Sequence, residues 1–141
     1  MIRCVLNTNV IVAGLRSPTG ASAALIGQAL DREFTLLVSL PLALEYEAAC
    51  CEPGQRLASG LDEEEVRTVI AALCAVAEPV TAHFLWRPQL RDPADEMVLD
   101  SAVNGRADAL VTFNRRDFSG VVERFGMAIL SPREALGRIR S

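Results

Sequence analysis

The sequence contains no lysine, and all fourteen of its basic residues are arginine. The lack of an ammonium group excludes every mechanism that requires one. It excludes P-loop nucleotide hydrolases, whose phosphate loop carries Gly-Lys-Ser or Gly-Lys-Thr. It also argues against dehalogenase-type phosphatases and response-regulator receivers, since both place acids at strand ends but need a lysine at the phosphoryl site.

Histidine is also rare, and the few cysteines show no recognisable pattern. The single histidine, His83, supports neither a zinc site nor a catalytic triad. Four cysteines, at positions 4, 50, 51 and 74, show neither Cys-x-x-Cys spacing nor the density of a secreted scaffold. We therefore expect reduced, mostly buried thiols, with a redox pair at Cys50-Cys51 as the less favoured alternative.

Long apolar runs are absent as well. No stretch approaches the roughly 20 residues that span a membrane, and the N-terminus lacks the features of a secretory signal. We expect a cytoplasmic, soluble protein.

With 141 residues, half of them apolar, the chain predicts a single domain over residues 1–141. Its net charge of -4 argues against a broad basic face for nucleic acid, although short local contacts remain allowed.

Short apolar runs alternate with helical stretches, which predicts an α/β layered fold around a mostly parallel sheet. The segments with strand character are Arg3 to Leu6, Phe34 to Ser39, Ala109 to Phe113 and Met127 to Leu130. The helical segments are Ala21 to Arg32, Pro41 to Cys51, Asp62 to Ala77 and Pro93 to Gly105. The region from Gln55 to Leu61 is the least regular, and we predict a loop there.

In such folds the chemistry gathers at the carboxyl ends of the strands. Asn7 falls where the first strand ends, and Thr112-Phe113-Asn114 where a later one ends, with Asp117 a short loop further. A Gly-rich dinucleotide turn is excluded, because the residues after the first strand are Asn-Thr-Asn. We expect Glu45 and Asp95, in the first turns of their helices, to point toward the same edge.

Each of these polar residues also has a structural interpretation. Asp92, Asp95 and Glu96 open a helix, where the helix dipole stabilises acids without any function. Glu45 fits the solvent side of an amphipathic helix, and Asp117 fits a helix cap. Taken together, however, several neighbouring carboxylates favour a bound Mg²⁺ or Mn²⁺, and such an ion supports hydrolysis of a phosphodiester.

Three segments in this order resemble the PIN-domain family, and more narrowly the bacterial PIN toxins related to VapC. They are VLNTNVIVAG, PLALEYEA and DPADEMVLDSAVNGRADALVTFNRRDF. The resemblance covers nearly the whole chain, and its C-terminal block is the most specific part. It implies a three-layer α/β/α fold and a metal-dependent, single-strand-specific ribonuclease that acts as the toxin of a toxin-antitoxin pair. It further implies a cognate antitoxin, an RNA substrate and commonly a homodimer.

Carried over by position, the resemblance assigns the catalytic and metal-binding places to Asn7, Glu45, Asp95 and Asp117. These residues would hold one or two Mg²⁺ or Mn²⁺ ions. The resemblance gives supporting roles around them to Thr8, Asn9, Thr112 and Asn114. Arg115 and Arg116 are candidates for phosphate contacts, although exposed loop arginines are more often simply solvated.

One position departs from the family pattern: the first motif reads Asn-Thr-Asn instead of Asp-Thr-Asn. An amide keeps the size and one acceptor oxygen of a carboxylate but removes its negative charge and adds N–H donors that a cation repels. Affinity for a divalent metal should fall. The chain is either a natural variant with weakened or lost activity or a deliberately inactivated toxin, and we favour the second because the other three acids remain.

The main alternative to a nuclease is a non-catalytic PIN-like module that binds RNA or a protein partner. In that interpretation Asn7 marks the loss of catalysis. The two alternatives differ in one observable, which is whether Asn7→Asp restores metal-dependent cleavage of RNA.

Overall fold

The computed structural model describes residues 1–81, 92–118, 120 and 122–140, apart from the side chains of residues 122 and 123; His83 lies outside this part of the chain. Within these residues, five strands form one sheet in the order β3-β2-β1-β4-β5. The strands are β1 Arg3–Leu6, β2 Thr35–Ser39, β3 Glu78–Val80, β4 Ala109–Val111 and β5 Ala128–Leu130. The helices are α1 Thr8–Arg16, α2 Ala21–Leu30, α3 Leu40–Cys51, α4 Pro53–Ser59, α5 Glu63–Val76, α6 Pro93–Asn104 and α7 Pro132–Arg140, with 3₁₀ turns at Arg115–Asp117 and Val122–Phe125.

All strand pairs are parallel, which confirms the predicted architecture of a parallel sheet in a three-layer α/β/α fold. β1 lies at the centre, where Cys4 pairs with Leu36 of β2 on one side and with Ala109 of β4 on the other. Residues Cys4 to Leu6 are fully buried, as expected for a strand covered on both faces. The carboxyl end of β1 therefore opens into the middle of one sheet edge.

The four predicted strands and four predicted helices are all present, within a few residues at their ends. The prediction omitted strand β3 and helices α1 and α7. β3 has only three residues, carries Pro79 and sits at the edge of the sheet, so it lacks the apolar run that marks a buried strand. Helix α1 begins at Thr8, so the segment after β1 is a helix start where we expected only a turn.

The predicted loop at Gln55 to Leu61 is wrong over most of its length, because α4 occupies Pro53–Ser59. Pro53 stands in the first turn of α4, and Gly60 ends it in the left-handed conformation with a φ of 78°. The Gln55 side chain is buried and donates to the carbonyl of Val12 at 3.0 Å. This bond holds α4 against α1, a tertiary contact that short-range composition does not reveal.

All four cysteines are free, as predicted: Cys4 and Cys50 are buried, Cys51 is half-buried and Cys74 is exposed. Within the described part of the chain no single helix is long and apolar enough to cross a membrane, although the sharply bent pair α1 and α2 together meets that test of length and composition.

Arg3 organises the edge formed by the amino ends of the strands, which we call the amino edge. Its guanidinium binds both carboxylate oxygens of Glu78, at 3.0 and 2.5 Å, and donates to the carbonyl of Gly105 at 2.7 Å. Its backbone N–H donates to Asp108 Oδ2 at 2.8 Å. The bond from Arg3 lowers the pKa of Glu78. Opposite charges thus meet directly at this edge.

Candidate functional site

Asn7 stands at the carboxyl end of β1 and is only 6% exposed. Its backbone N–H donates to the carbonyl of Val111 on β4 at 2.9 Å, and its own carbonyl accepts from Val10 at 2.9 Å. These bonds place Asn7 between two central strands and at the start of α1. The predicted position at a strand end is therefore confirmed. We call this side of the sheet, with the residues that follow β1, β2 and β4 and the first turn of α6, the carboxyl edge.

The hydroxyl of Thr112 joins the polar residues of the carboxyl edge. Thr112 is fully buried, and its Oγ1 accepts from Asn7 Nδ2 at 2.8 Å, from Asn9 Nδ2 at 3.4 Å and from the backbone N–H of Asn114 at 3.0 Å. A hydroxyl oxygen has two lone pairs, so three donors exceed its capacity. A carboxylate at position 7 would relieve this crowding, because it would accept the hydroxyl proton of Thr112 instead of donating to the oxygen.

Two oxygen atoms in this segment are buried with no hydrogen-bond partner among the described residues. They are Asn9 Oδ1 and Thr8 Oγ1. Buried polar atoms are nearly always hydrogen-bonded, so an unsatisfied pair beside a cluster of amides requires an explanation. A cation or an ordered water at the carboxyl edge would supply one, because both satisfy lone pairs that the protein leaves open.

Glu45 lies on α3, which starts directly after β2. Ser39 caps this helix by accepting from the backbone N–H of Leu42 at 3.3 Å. Glu45 is the sixth residue of the helix and so falls in its second turn, where we had expected the first. Its side chain is half-buried, and among the described residues its carboxylate has no hydrogen bond or ion pair.

A buried pair of serines links α3 to α6. The hydroxyls of Ser39 and Ser101 lie 2.7 Å apart, and Ser101 Oγ donates to the carbonyl of Met97 at 2.9 Å. Since Ser101 gives its proton to Met97, Ser39 must be the donor between the two hydroxyls. This chain of bonds fixes the start of the helix that carries Glu45 against the helix that carries Asp95. No local pattern indicates this pair, because the two serines are 62 positions apart.

The acids of α6 crowd one another. Asp92 caps the helix by accepting from Ala94 at 2.9 Å, and Asp95 follows in the first turn, as predicted. The pKa of Asp95 is raised to about 6, first by burial and then by the negative charges of Asp92, Asp117 and Glu96. Asp95 and Asp117 are therefore close enough to interact, although Asp117 follows a different strand.

Asp117 belongs to the 3₁₀ turn that follows β4 and is exposed. The turn is anchored by Phe118, whose side chain is fully buried. An open depression of about 730 Å³ extends over this loop. It is lined by Phe113, Asn114, Arg115, Arg116 and Asp117.

Arg115 forms an ion pair with Glu134, in the first turn of α7. Glu134 also caps α7 together with Ser131, whose N–H donates to Glu134 Oε1 at 2.9 Å. Arg115 is thus attached to the last helix, while Arg116 is exposed in the neighbouring loop. Contact of either arginine with a phosphate stays a prediction.

The structure joins the predicted site residues into two groups. Hydrogen bonds connect Asn7, Asn9 and Asn114 through Thr112, and electrostatic interaction connects Asp95 with Asp117. Among the described residues, Glu45 has no hydrogen bond or ion pair with either group. Nor does any set of three or more His, Cys, Asp or Glu side chains within that part lie close enough to hold a metal. Position 7, in the middle of the edge, carries an amide and so adds no carboxylate to such a set.

A family model described as PIN domain matches residues 3–116 of the chain. The match begins with β1 and ends one residue before Asp117, so it includes Asn7, Glu45, Asp95 and Asn114. No curated protein matches the chain in sequence.

Proposed function

Since the chain belongs to the PIN-domain family, whose fold is generally that of a nuclease, we propose that it is a metal-dependent endoribonuclease of the toxin type. Its activity is weakened or lost because Asn7 replaces the first metal-binding acid. The observation that carries this proposal is the oxygen-rich carboxyl edge, where burial and then the negative charges of neighbouring carboxylates raise the pKa of Asp95 to about 6. A divalent cation is the natural counter-charge for such a cluster.

The donors of this edge suit Mg²⁺ or Mn²⁺ in kind, with one charge fewer than the family pattern. Glu45, Asp95 and Asp117 would hold the ion, together with the amide oxygen of Asn7. The carboxylates of these three acids have no hydrogen bond or ion pair among the described residues, and Asn9 Oδ1 is buried without a partner. When bound, a divalent cation activates water and neutralises charge on a phosphodiester.

The remaining residues of the edge orient these donors. Thr112 Oγ1 accepts a hydrogen bond from Asn7 Nδ2 at 2.8 Å. The amide oxygen, Oδ1, is therefore the atom of Asn7 that would bind a ligand. The same hydroxyl fixes the start of the loop that carries Asp117, through the N–H of Asn114 at 3.0 Å. We infer that Asn114 and Arg116, both exposed in the loop that carries Asp117, would contact a phosphate of the RNA.

A non-catalytic module that binds RNA or protein is the second candidate. It is favoured by one observation: Asn7 is buried and its Nδ2 donates to Thr112 Oγ1 at 2.8 Å, so the amide nitrogen has a hydrogen-bond partner within the fold. A binding module has no need of a charge at this position. The two candidates share the carboxyl edge and differ in whether chemistry occurs there.

We also propose a cognate antitoxin as protein partner, a homodimer as assembly, RNA as substrate and the cytoplasm as location. Exposed apolar side chains next to the edge support a protein partner. Leu40 and Leu44, one turn apart on α3, are 72% and 57% exposed, and Phe113 after β4 is 53% exposed. Large apolar side chains at the surface are typical of contact sites when they cluster.

A nuclease assay on structured RNAs, with Mg²⁺ or Mn²⁺ and with a chelator, tests the proposal. The chain and Asn7→Asp are compared, and the double variant Asn7→Asp/Asp95→Asn serves as the matched control with the same net charge as the original chain. We expect Asn7→Asp to cleave RNA only with metal, and both other proteins to cleave weakly or not at all. If folded, Mn²⁺-binding Asn7→Asp cleaves no RNA, the nuclease proposal is wrong and the binding module is favoured.

A further inference from the structure

Tyr46 is the only tyrosine of the chain and directly follows Glu45 on α3. Its side chain is fully buried, and its hydroxyl donates to the backbone carbonyl of Leu6. Leu6 is the last residue of β1. A side chain beside one proposed metal ligand therefore contacts the backbone beside another, across 40 positions of sequence.

The carbonyl that Tyr46 binds belongs to the peptide bond between Leu6 and Asn7. The N–H at the other end of this bond is that of Asn7, and it donates to the carbonyl of Val111 at 2.9 Å. A peptide bond is planar, so fixing its oxygen and its N–H fixes its orientation. The peptide that carries Asn7 is thus held by α3 on one side and by β4 on the other.

The contact depends on the hydroxyl and not only on the ring. The Tyr46 hydroxyl is the donor of this bond, and the carbonyl oxygen of Leu6 can only accept. Phenylalanine would fill the same space and leave the carbonyl of Leu6 without this partner. A buried carbonyl that loses its donor is destabilised and reorients when it can.

We propose that Tyr46 is a positioning residue, whose hydroxyl bond to the peptide of residues 6 and 7 sets the placement of residue 7 relative to Glu45. This inference rests on the proposed function, because its consequence for a ligand concerns the divalent cation held at the carboxyl edge. Tyr46 itself touches neither the ion nor the substrate in this role. Its effect passes through the backbone of residue 7.

The test combines amide hydrogen exchange with Mn²⁺ titration calorimetry on Tyr46→Phe, made both in the chain and in Asn7→Asp. We expect exchange of the Asn7 N–H to accelerate roughly tenfold, because the peptide loses one of its two anchors. We expect Mn²⁺ affinity to fall about tenfold, as is typical when a residue that orients a metal ligand is removed. Amides of Cys4 and Val5, on the same strand, should keep their protection.

Leu73→Val is the matched control. Leu73 is fully buried on α5, the helix packed against α3, so the variant loosens the same helix layer without touching the Leu6 carbonyl. We expect it to lower stability while leaving Mn²⁺ affinity and the relative exchange of Asn7 unchanged. Equal changes in the control and in Tyr46→Phe would show that Tyr46 is merely structural and would overturn the inference.

The two proposals fail in different ways. If neither the chain nor Asn7→Asp binds Mn²⁺, the proposed function is wrong, and the exchange of Asn7 still decides whether Tyr46 positions residue 7. If Asn7→Asp binds Mn²⁺ and Tyr46→Phe leaves both the exchange and the affinity unchanged, only the inference about Tyr46 fails. Faster exchange with unchanged affinity overturns it as well, since the anchor would then not act on the site.

Fluorine labelling covers the case in which Tyr46→Phe does not fold. Since the chain has a single tyrosine, 3-fluorotyrosine places one ¹⁹F probe at position 46 alone. Mg²⁺ added to labelled Asn7→Asp should shift this resonance and saturate together with Mg²⁺ binding measured by calorimetry. Saturable binding without any shift of the resonance would contradict the coupling between Tyr46 and the site.

Discussion

The two edges of the sheet handle charge in opposite ways. At the amino edge the Arg3 guanidinium donates two hydrogen bonds to the Glu78 carboxylate, at 3.0 and 2.5 Å, and a third to the carbonyl of Gly105. At the carboxyl edge the negative charges of Asp92, Asp117 and Glu96 instead add to the burial that raises the pKa of Asp95. The same sheet therefore has one edge with matched charges and one with an excess of negative charge.

The difference indicates which edge serves stability and which serves a ligand. Matched charges lower the free energy of the folded chain by themselves, whereas crowded like charges raise it until a counter-ion arrives. Retaining such a cost is typical of functional sites, where optimal stability is given up for binding or catalysis. We therefore assign the amino edge to the structure and the carboxyl edge to the proposed metal site.

The largest expected effect is at the amino edge, in Arg3→Met. The variant keeps the apolar stem but removes the bonds to Glu78 and Gly105, so we expect a loss of about 1–2 kcal/mol in unfolding free energy, discounted for solvent exposure. Urea denaturation measures it. Arg16→Met is the control, because Arg16 is exposed and makes no ion pair among the described residues. Equal losses in both variants would remove the contrast between the edges.

At the carboxyl edge we expect the opposite change in stability: Asp95→Asn should raise the free energy of unfolding. A pKa of about 6 instead of 3.8 means that the folded state disfavours the charged form. Two pKa units correspond to about 3 kcal/mol, but Asp95 is only partly buried and the helix dipole favours its charge. We therefore expect a gain of about 1 kcal/mol at pH 7.5.

The pH dependence of Asp95→Asn has a definite direction. Because the folded pKa is raised, the cost of the charged form is complete above about pH 6 and disappears as the pH falls toward 3.8. The stability advantage of the variant should shrink between pH 7.5 and pH 5 in urea denaturation. Asp31→Asn, an exposed acid at the end of α2, should show no such trend. A gain for Asp95→Asn that does not vary with pH would contradict charge crowding.

The smallest expected effect is on the pKa of Asp95 itself, followed by carboxyl ¹³C NMR. Asp92→Asn removes one neighbouring charge and retains a residue that caps helices well, so the pKa should fall. It should stay above 3.8, since burial is the larger cause of the shift. Asp108→Asn, at the amino edge, should leave the pKa of Asp95 unchanged, and a similar fall in both variants would show that the effect is not local.

Local patterns sufficed for much of the fold. β1 and α6 were predicted closely, because a buried apolar run and an Asp-Pro helix start are decided by near neighbours. β3 and α4 were missed for the converse reason. β3 is a three-residue edge strand with a proline, and α4 is fixed by the Gln55 bond to Val12 on another helix.

The candidate site, like the fold, could be predicted only in part. Asn7, Thr112 and Asp95 could be placed from the rule that parallel strands bring their carboxyl ends together. The hydrogen bonds that orient the site side chains could not be predicted from the sequence. Ser39 and Ser101 are 62 positions apart, and Tyr46 and Leu6 are 40 positions apart. Such pairs form only when the helices pack against their neighbours, so no local sequence pattern predicts them.

We propose that the carboxyl edge is a divalent-cation site short of one charge. Mn²⁺ titration calorimetry, carried out on the chain and on Asn7→Asp, measures this deficit. We predict that Asn7→Asp binds Mn²⁺ about tenfold more tightly or better, because it restores a charged oxygen donor in the middle of the edge. The gain should vanish in Asn7→Asp/Asp95→Asn. Equal Mn²⁺ affinity of the chain and Asn7→Asp would show that residue 7 is not a metal ligand and that the carboxyl edge does not lack its charge.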